Sequence, residues 1–203
     1  STFLALADAD IAARCLHYDD DYRIEEFYRG RSLTAADVFD LDIQRGVAAE
    51  LHRLHQLEPV NLPEATFFEL LHDQWGRLGR PVLEKRSAFP ADEQELCGEL
   101  EAMFSDDTRA KVLRCLPDRP PVFCHNDTYH GIVFLLDDGA VRLLDFEFCC
   151  RNHIAFDFAI FFAVTVMEHG FDEPTHFRIA EPKFTDDDLA GFIGFYLDNA
   201  TFA

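Results

Sequence analysis

The chain has 203 residues, of which 48% are hydrophobic and 21 are phenylalanine, so it is not intrinsically disordered and can bury a substantial core. Its formal charge of −20 argues against nucleic acid or an anionic membrane as a partner and suits a cationic substrate such as an amino alcohol. No apolar run approaches the roughly 18–20 residues that cross a bilayer, and Asp8 and Asp10 argue against a signal peptide.

The first 30 residues predict one short helix and one strand. Leu6–Arg14 has a helix-like pattern, and an acidic turn over residues 19–21 follows it. Arg23–Tyr28, with the sequence RIEEFY, is typical of a strand and leads to Gly30. By themselves these elements describe an ordinary sheet edge.

Residues 31–121 predict helices separated by loops. The clearest is Ile43–Leu57, where apolar residues recur at helical spacing behind Asp42, which we expect to be the N-cap. His52 and His55 lie three residues apart in this helix, but no HExxH pattern surrounds them, so we predict packing rather than metal binding. The further predicted helices are Thr66–Gly76, Asp92–Phe104 and Thr108–Leu116, with a loop at Gly76–Pro81 and a stop at Ser105–Asp107.

The stretch from residue 121 to residue 157 contains three apolar runs around a polar loop. The runs are Val122–Cys124, Ile132–Leu136 and Ala140–Leu144. The turn Asp137–Gly139 separates the last two, and an Asp-Gly pair between apolar runs predicts a β-hairpin. Such a hairpin would bring Asp127 and Asp145 to the same end, where two carboxylates could supply a general base and a metal ligand.

The last 46 residues predict helices around a loop. Phe158–Met167 is a nearly unbroken apolar run whose length favours a buried helix. Glu168–Phe184 is rich in charged and aromatic residues and is predicted to be a loop. Thr185 is the expected N-cap of a final helix, Asp187–Leu197, whose first turn is acidic.

Three ordered strings in this chain resemble the choline/ethanolamine kinase family, whose relatives include the aminoglycoside phosphotransferases. They are FCHND at 123–127, LLDFEF at 143–148 and FD at 156–157. They are similar to that family's HNDxxxxN catalytic loop, its IDFEY metal-binding segment and its downstream FD. The resemblance implies an α+β fold: a protein-kinase-like C-terminal lobe, mostly helical, with a small β-hairpin that carries the catalytic loop. It also implies a hinge and N-lobe remnant at 1–30 and a helical C-lobe at 31–203, with the catalytic and metal-binding segments at 121–157.

The resemblance implies an ATP- and Mg²⁺-dependent phosphotransferase that acts on the hydroxyl of an amino alcohol, choline or ethanolamine. Asp127 would be the catalytic residue that orients this hydroxyl and accepts its proton. His125 and Asn126 would fix the backbone of its loop. Asp145 would be a ligand of Mg²⁺, and Glu147 would be a second member of the metal site.

The resemblance also assigns residues outside this stretch and the setting of the protein. The backbone around Glu26, Phe27 and Tyr28 would meet the adenine edge of ATP, and Asp157 would anchor the catalytic loop through hydrogen bonds. The resemblance allows a homodimer. The six cysteines show neither a CxxC pair nor zinc spacing, which favours a reducing, cytoplasmic location.

Three departures from the family pattern leave alternatives open. Ile132 stands where the family has the Asn that binds a second Mg²⁺, and Ile160–Thr165 stands where it has an NHFCEW-like string. In addition, neither a Gly-rich phosphate loop nor a strand Lys precedes RIEEFY. The alternatives are a catalytically impaired pseudokinase or binding module, and a kinase for another hydroxylated amine such as an aminoglycoside. We also expect this chain alone to be weakly active or inactive.

Overall fold

The computed structural model describes residues 2–58, 66–116, 118–169 and 177–201. Its helices are α1 (Thr2–Asp8), α2 (Leu41–His55), α3 (Phe67–Leu83), α4 (Ala91–Met103), α5 (Asp106–Cys115), α6 (Ile154–Ala163) and α7 (Asp186–Thr201). Its strands are β1 (Cys15–Tyr18), β2 (Arg23–Glu25), β3 (Gly30–Ser32), β4 (Val122–Cys124), β5 (Val133–Leu136), β6 (Val141–Leu143), β7 (Cys150–Asn152), β8 (Met167–His169) and β9 (Phe177–Ile179). Among these described helices, none is both long and apolar enough to span a bilayer.

The N-terminal segment folds as α1 followed by the antiparallel hairpin of β1 and β2. The helix is shorter than the predicted Leu6–Arg14, since it ends before Asp10, whose left-handed φ of 54° cannot continue a helix. Asp19 closes the hairpin turn by accepting hydrogen bonds from the amides two and three residues later, at 2.9 and 3.0 Å. The predicted strand Arg23–Tyr28 is also too long, because β2 ends at Glu25.

Helix α2 lies at the centre of the hydrophobic core and packs against α7, β4 and β6. Its cap is Asp40 and not the predicted Asp42, because the Asp40 side chain accepts from the amides of Asp42 and Ile43 at 2.9 and 3.1 Å. The fully buried residues of its inner face are Val47, Ala48, Leu51 and Leu54. The apolar stripe predicted from the sequence is therefore the face that this helix buries.

Helices α3, α4 and α5 follow one another along the chain, and two predictions about them are wrong. Helix α3 begins after Thr66, as predicted, but continues beyond Gly76 to Leu83, with Pro81 inside its last turn. A proline there removes one backbone hydrogen bond near the end of the helix, which leaves the preceding turns intact. Helix α4 ends at Met103, before the predicted stop, but α5 begins at Asp106 and not at the predicted Thr108, because Ser105 caps it by accepting from the amide of Thr108 at 3.2 Å.

Two small antiparallel sheets carry the stretch from residue 121 to residue 157. Strands β5 and β6 form the predicted hairpin, whose turn contains Gly139 at a φ of 89°. Strand β3 joins the other edge of β5, and β4 pairs with β7, which was not predicted. The ring Nε2 of His125 lies 2.9 Å from the carbonyl oxygen of Leu144, so the ends of β4 and β6 lie side by side.

The C-terminal elements complete the core with aromatic side chains. The run predicted as one helix, Phe158–Met167, divides into the end of α6, a 3-10 turn at Val164–Val166 and the start of β8. Strand β8 pairs with β9, in a region predicted to be a loop. Thr185 caps α7 as predicted, since its hydroxyl accepts from the amide of Asp188 at 3.3 Å. The buried aromatic residues here are Phe158, Phe161, Phe162, Phe192 and Tyr196.

Candidate active site

Two polar loops meet where β4 and β6 end. The first contains His125, Asn126 and Asp127, and the second begins with Asp145. Asn126 has a φ of 69° and Asp145 a φ of 60°, which is left-handed backbone for residues other than glycine. Such conformations persist where the surrounding structure enforces them, and they cluster at functional sites. The two loops are therefore the first place to look for chemistry.

Asp157, on α6, holds the backbone of the first loop. Its Oδ2 accepts from the amide of His125 at 2.9 Å, and its Oδ1 accepts from the amide of Asn126 at 2.7 Å. Its carbonyl oxygen accepts from the hydroxyl of Thr128 at 2.6 Å. All four residues are buried, so water does not compete for these bonds. The residues on either side of Asp127 are thus held by α6.

The side chains of His125 and Asn126 connect the first loop to its surroundings. Burial lowers the pKa of His125, whose ring nitrogen faces the Leu144 carbonyl, so the ring is neutral at pH 7. The Asn126 amide nitrogen donates to the carbonyl of Phe148 at 2.9 Å, and its oxygen accepts from the Asn152 side chain at 2.7 Å. The Asn126 side chain therefore uses both its nitrogen and its oxygen to hold the loop, whereas His125 uses Nε2 and its buried Nδ1 has no hydrogen-bond partner among the described residues.

Asp127 is half-buried and lies close to other carboxylates. Burial raises its pKa to about 6, and the negative charges of Asp145, Glu147 and Asp157 contribute to the same shift. A carboxyl group that titrates near the working pH is suited to taking up a proton during a reaction. The mutual repulsion also means that a cation would stabilise this cluster.

Asp145 and Glu147 are exposed and open into a cleft of about 280 Å³. Its other lining residues include Thr2, Phe3, Leu6, Arg23, Glu25 and Phe146. Exposed carboxylate oxygens are the ligands that Mg²⁺ prefers, so this pair fits a hard divalent cation. A larger cavity of about 970 Å³ is lined by residues of α3, α4 and α5 and so lies away from the carboxylate cluster.

Ile132 occupies the position five residues after Asp127. Its side chain is 6% exposed and belongs to the hydrophobic core. An aliphatic side chain has no atom that can bind a metal ion, so Ile132 adds no ligand beside the carboxylates. In the described part of the chain, the carboxylates that line the cleft are Asp145, Glu147 and Glu25, of which Glu25 forms an ion pair with Arg23.

Glu26, Phe27 and Tyr28 form the connection that follows β2. The amide of Glu26 donates to the carbonyl of Arg14 at 2.9 Å, whereas the Phe27 side chain is 86% exposed. Tyr28 is half-buried, and burial raises its pKa. The structure therefore places these three residues on the segment that joins the N-terminal hairpin to β3, and not among the carboxylates.

Sequence reasoning missed Tyr196 and Asn152 and assigned His55 only to packing. The ring Nε2 of His55 lies 2.9 Å from Asp157 Oδ2, and its Nδ1 lies 2.9 Å from the Tyr196 hydroxyl. These partners are 102 and 141 residues away, so no local pattern could link them. Cys124 also lies within 4.8 Å of His55 and Asp157, but both ring nitrogens of His55 are already hydrogen-bonded, so we assign no metal there.

Known proteins resemble this chain along its whole length. The family model described as choline/ethanolamine kinase matches residues 1–202. A probable choline kinase 2 from Arabidopsis thaliana is 27% identical over 157 residues, which cover 75% of this chain and 41% of that protein. The structure of a choline kinase from Cryptosporidium parvum superposes with a TM-score of 0.76 at 19% identity, covering 100% of this chain and 61% of that one. An ADP-bound aminoglycoside phosphotransferase, APH(2'')-Ib, gives 0.64 at 14% identity, covering 98% and 65%.

These similarities establish the fold, but they cover only part of each relative. The structural likeness confirms the predicted α+β, protein-kinase-like architecture, mostly helical with small sheets. The chain spans about half the length of the curated relatives that it matches.

Proposed function

The chain belongs to the choline/ethanolamine kinase family, and on this basis we propose that the protein transfers a phosphoryl group from ATP to the hydroxyl of an amino alcohol, choline or ethanolamine. The observation that carries the proposal is the contact between His125 and the Leu144 carbonyl, which brings the loop of Asp127 beside the segment of Asp145 and Glu147. One carboxyl group is half-buried with a raised pKa, and the other two are exposed. This division suits a proton acceptor next to a cation site.

Asp127 would orient the substrate hydroxyl and accept its proton. The hydroxyl oxygen forms a bond to the terminal phosphorus of ATP while the bond from that phosphorus to the bridging oxygen breaks and ADP leaves. The proton passes from the hydroxyl to the Asp127 carboxylate and then to water. A positioned base typically contributes about 10²–10⁴-fold in rate. Asp157 would contribute indirectly, by holding the amides of His125 and Asn126.

Asp145 and Glu147 would hold Mg²⁺, which neutralises phosphate charge when it is bound. Their exposed oxygens supply a fitting donor set, and the left-handed backbone of Asp145 turns the chain at the edge of the cleft. Ile132 contributes no second ligand set, so we propose that this chain relies on the Asp145 and Glu147 pair.

We make four further proposals, which concern the adenine contact, the two parts of the chain, the location and the assembly. The backbone around Glu26, Phe27 and Tyr28 would contact adenine, since this segment leaves the hairpin that lines the cleft. Residues 1–30 would form the hinge and N-lobe remnant, and residues 31–203 the helical lobe. A cytoplasmic location is supported by six free cysteines. A homodimer is retained as the proposed assembly.

The two alternatives are less well supported. The curated relatives include choline kinases and choline/ethanolamine kinases, which favours an amino alcohol over an aminoglycoside. The half-buried Asp127 and the exposed carboxylate pair keep the arrangement that transfer requires, which favours an enzyme over a pseudokinase.

The test is a phosphorylation assay of the purified protein with ATP and Mg²⁺ and with choline, ethanolamine or an aminoglycoside as acceptor. Because this chain alone is expected to be weakly active, we expect slow phosphate transfer to choline or ethanolamine and a further decrease in kcat of about 10²–10⁴-fold in Asp127→Asn. Asp137→Asn, in the exposed hairpin turn, is the matched control and should behave as the unmodified protein. Absence of transfer together with absence of Mg²⁺-dependent nucleotide binding would reject the proposal.

A further inference from the structure

A buried chain of three side chains connects α7, α2 and α6. It runs from the hydroxyl of Tyr196 to His55 Nδ1 at 2.9 Å, and from His55 Nε2 to Asp157 Oδ2 at 2.9 Å. Tyr196 is 6% exposed, His55 is 4% exposed and Asp157 is 0% exposed. The chain ends at the carboxylate that accepts from the amides of His125 and Asn126.

The donors and acceptors along this chain can be assigned from their chemistry. A carboxylate only accepts hydrogen bonds, so the Nε2 of His55 must carry the hydrogen that Asp157 receives. In a neutral imidazole the other nitrogen then has a lone pair and can only accept. On a neutral ring the Tyr196 hydroxyl is therefore the donor to Nδ1, while the Asp157 carboxylate keeps the hydrogen of His55 on Nε2.

We propose that Tyr196 is a positioning residue for the catalytic loop: its hydroxyl holds the His55 ring in place through Nδ1, and His55 in turn steadies the Asp157 carboxylate that fixes the loop. The consequence for catalysis rests on the function proposed above. The consequence for the His55 ring and for the loop amides does not depend on it.

Aromatic side chains pack around Tyr196 and keep its hydroxyl next to His55. Its ring packs at a T-shaped angle on Phe158, with centroids 4.9 Å apart, and against the His52 ring at 5.3 Å. Burial raises the pKa of Tyr196 to about 12, so the hydroxyl keeps its proton at neutral pH. A phenylalanine at this position would remove the hydroxyl that donates to His55 Nδ1.

The first experiment measures the tautomer directly by ¹⁵N NMR of the histidine rings. We expect Nε2 of His55 to carry its hydrogen both in the unmodified protein and in Tyr196→Phe, because Asp157 accepts it in both, and we expect the Nδ1 signal to move in Tyr196→Phe because its hydrogen-bond donor is lost. Tyr18→Phe, at a side chain that is 49% exposed, is the matched control and should leave the spectrum of His55 unchanged. A Nδ1–H imidazole or an imidazolium in the unmodified protein would overturn the proposal.

The second experiment follows the loop by hydrogen exchange of the His125 and Asn126 amides. Loss of one buried hydrogen bond should make both amides exchange roughly 5–30-fold faster in Tyr196→Phe. His55→Gln places an amide nitrogen near the position of Nε2 and has no Nδ1 for the Tyr196 hydroxyl to hold, so Tyr196→Phe should add nothing in that background. Unchanged exchange in the single variant, or an equal effect in both backgrounds, would contradict the proposal.

Two further readouts complete the test. If Tyr196→Phe does not fold, His55→Gln and His55→Ala replace it: Gln should retain the protection of the two amides and Ala should lose it, and equal exchange in the two would overturn the proposal. In the phosphorylation assay, Tyr196→Phe should lower kcat and leave KM unchanged. An unmodified protein that transfers no phosphate would reject the proposed function, while the tautomer and the amide exchange would still decide this inference.

Discussion

The two loops of the candidate active site are built in opposite ways. The loop that carries Asp127 is held by buried hydrogen bonds from its amides and side chains to Asp157, Asn152 and the Phe148 carbonyl. The segment of Asp145 and Glu147 is exposed and faces a cleft. The first loop is organised by the protein alone, whereas the second presents charge that a cation and a nucleotide would compensate. The difference suggests that a base must be placed before the substrate arrives, while a metal site can be completed on binding.

The largest expected effect is on the free energy of unfolding, which should fall when the support of the first loop is changed and stay nearly the same when the second loop is changed. Asp157→Asn places an amide opposite backbone amides that need an acceptor, and we expect it to lower the free energy of unfolding by about 3–5 kcal/mol. Asp145→Asn makes the same chemical change at an exposed site where an asparagine tolerates the left-handed backbone, and should stay within about 0.5 kcal/mol. Urea denaturation followed by circular dichroism measures both. Equal destabilisation by the two variants would refute the contrast between the loops.

The next effect should appear in ligand binding, where Asp145→Asn, the variant with little effect on stability, should have a large effect. Asp145→Asn removes a charged ligand, so Mg²⁺-dependent binding of ADP should weaken by at least about tenfold. Isothermal titration calorimetry with and without Mg²⁺ gives the affinity, and Asp137→Asn, an exposed carboxylate of the hairpin turn, serves as the control. Binding that is as tight in Asp145→Asn as in the control would remove Asp145 from the metal site.

The same contrast explains how much of the fold could be predicted. The hairpin of β5 and β6 and the helix α7 were recognised because their signals, an Asp-Gly turn and a Thr185 cap, are local. Strand β7 was missed because it has three residues and pairs with β4, and that pairing is long-range. The predicted helix ended too early because Gly76 and Pro81 are helix breakers in sequence, whereas α3 continues through both of them to Leu83.

For the candidate site, the family resemblance identified the carboxylates but not Tyr196, which contacts the site only through other residues. Asp127, Asp145 and Glu147 stand in short strings that can be read from the sequence, and their assigned roles remain proposals. Tyr196 could not be found this way, because its link to His55 spans 141 residues and depends on how α7 packs against α2. A tyrosine in an apolar helix carries no signal of a hydrogen bond across the core.

The smallest predicted effect concerns Asp127, which lies in the first loop and whose pKa is raised by burial and by the carboxylates of the second loop. Its pKa is raised from 3.8 to about 6, so the folded state binds the proton more tightly than the unfolded state does. The stabilisation that the protonated group provides is therefore complete below about pH 4 and is lost as the pH rises through about 6. Asp127→Asn should remove this slope from the free energy of unfolding.

The pH dependence also tests whether the carboxylates of the second loop, Asp145 and Glu147, affect the titration of Asp127 in the first loop. A carbon-detected NMR titration of the Asp127 carboxyl group without divalent cations should give a midpoint near 6. Addition of Mg²⁺ should lower this midpoint, because a cation on Asp145 and Glu147 replaces repulsion of the Asp127 carboxylate by attraction. In Asp145→Asn the metal-free midpoint should fall, since one repelling charge is gone, and the response to Mg²⁺ should shrink. If neither Mg²⁺ nor Asp145→Asn changes the midpoint, burial alone sets the pKa of Asp127 and the two loops act independently.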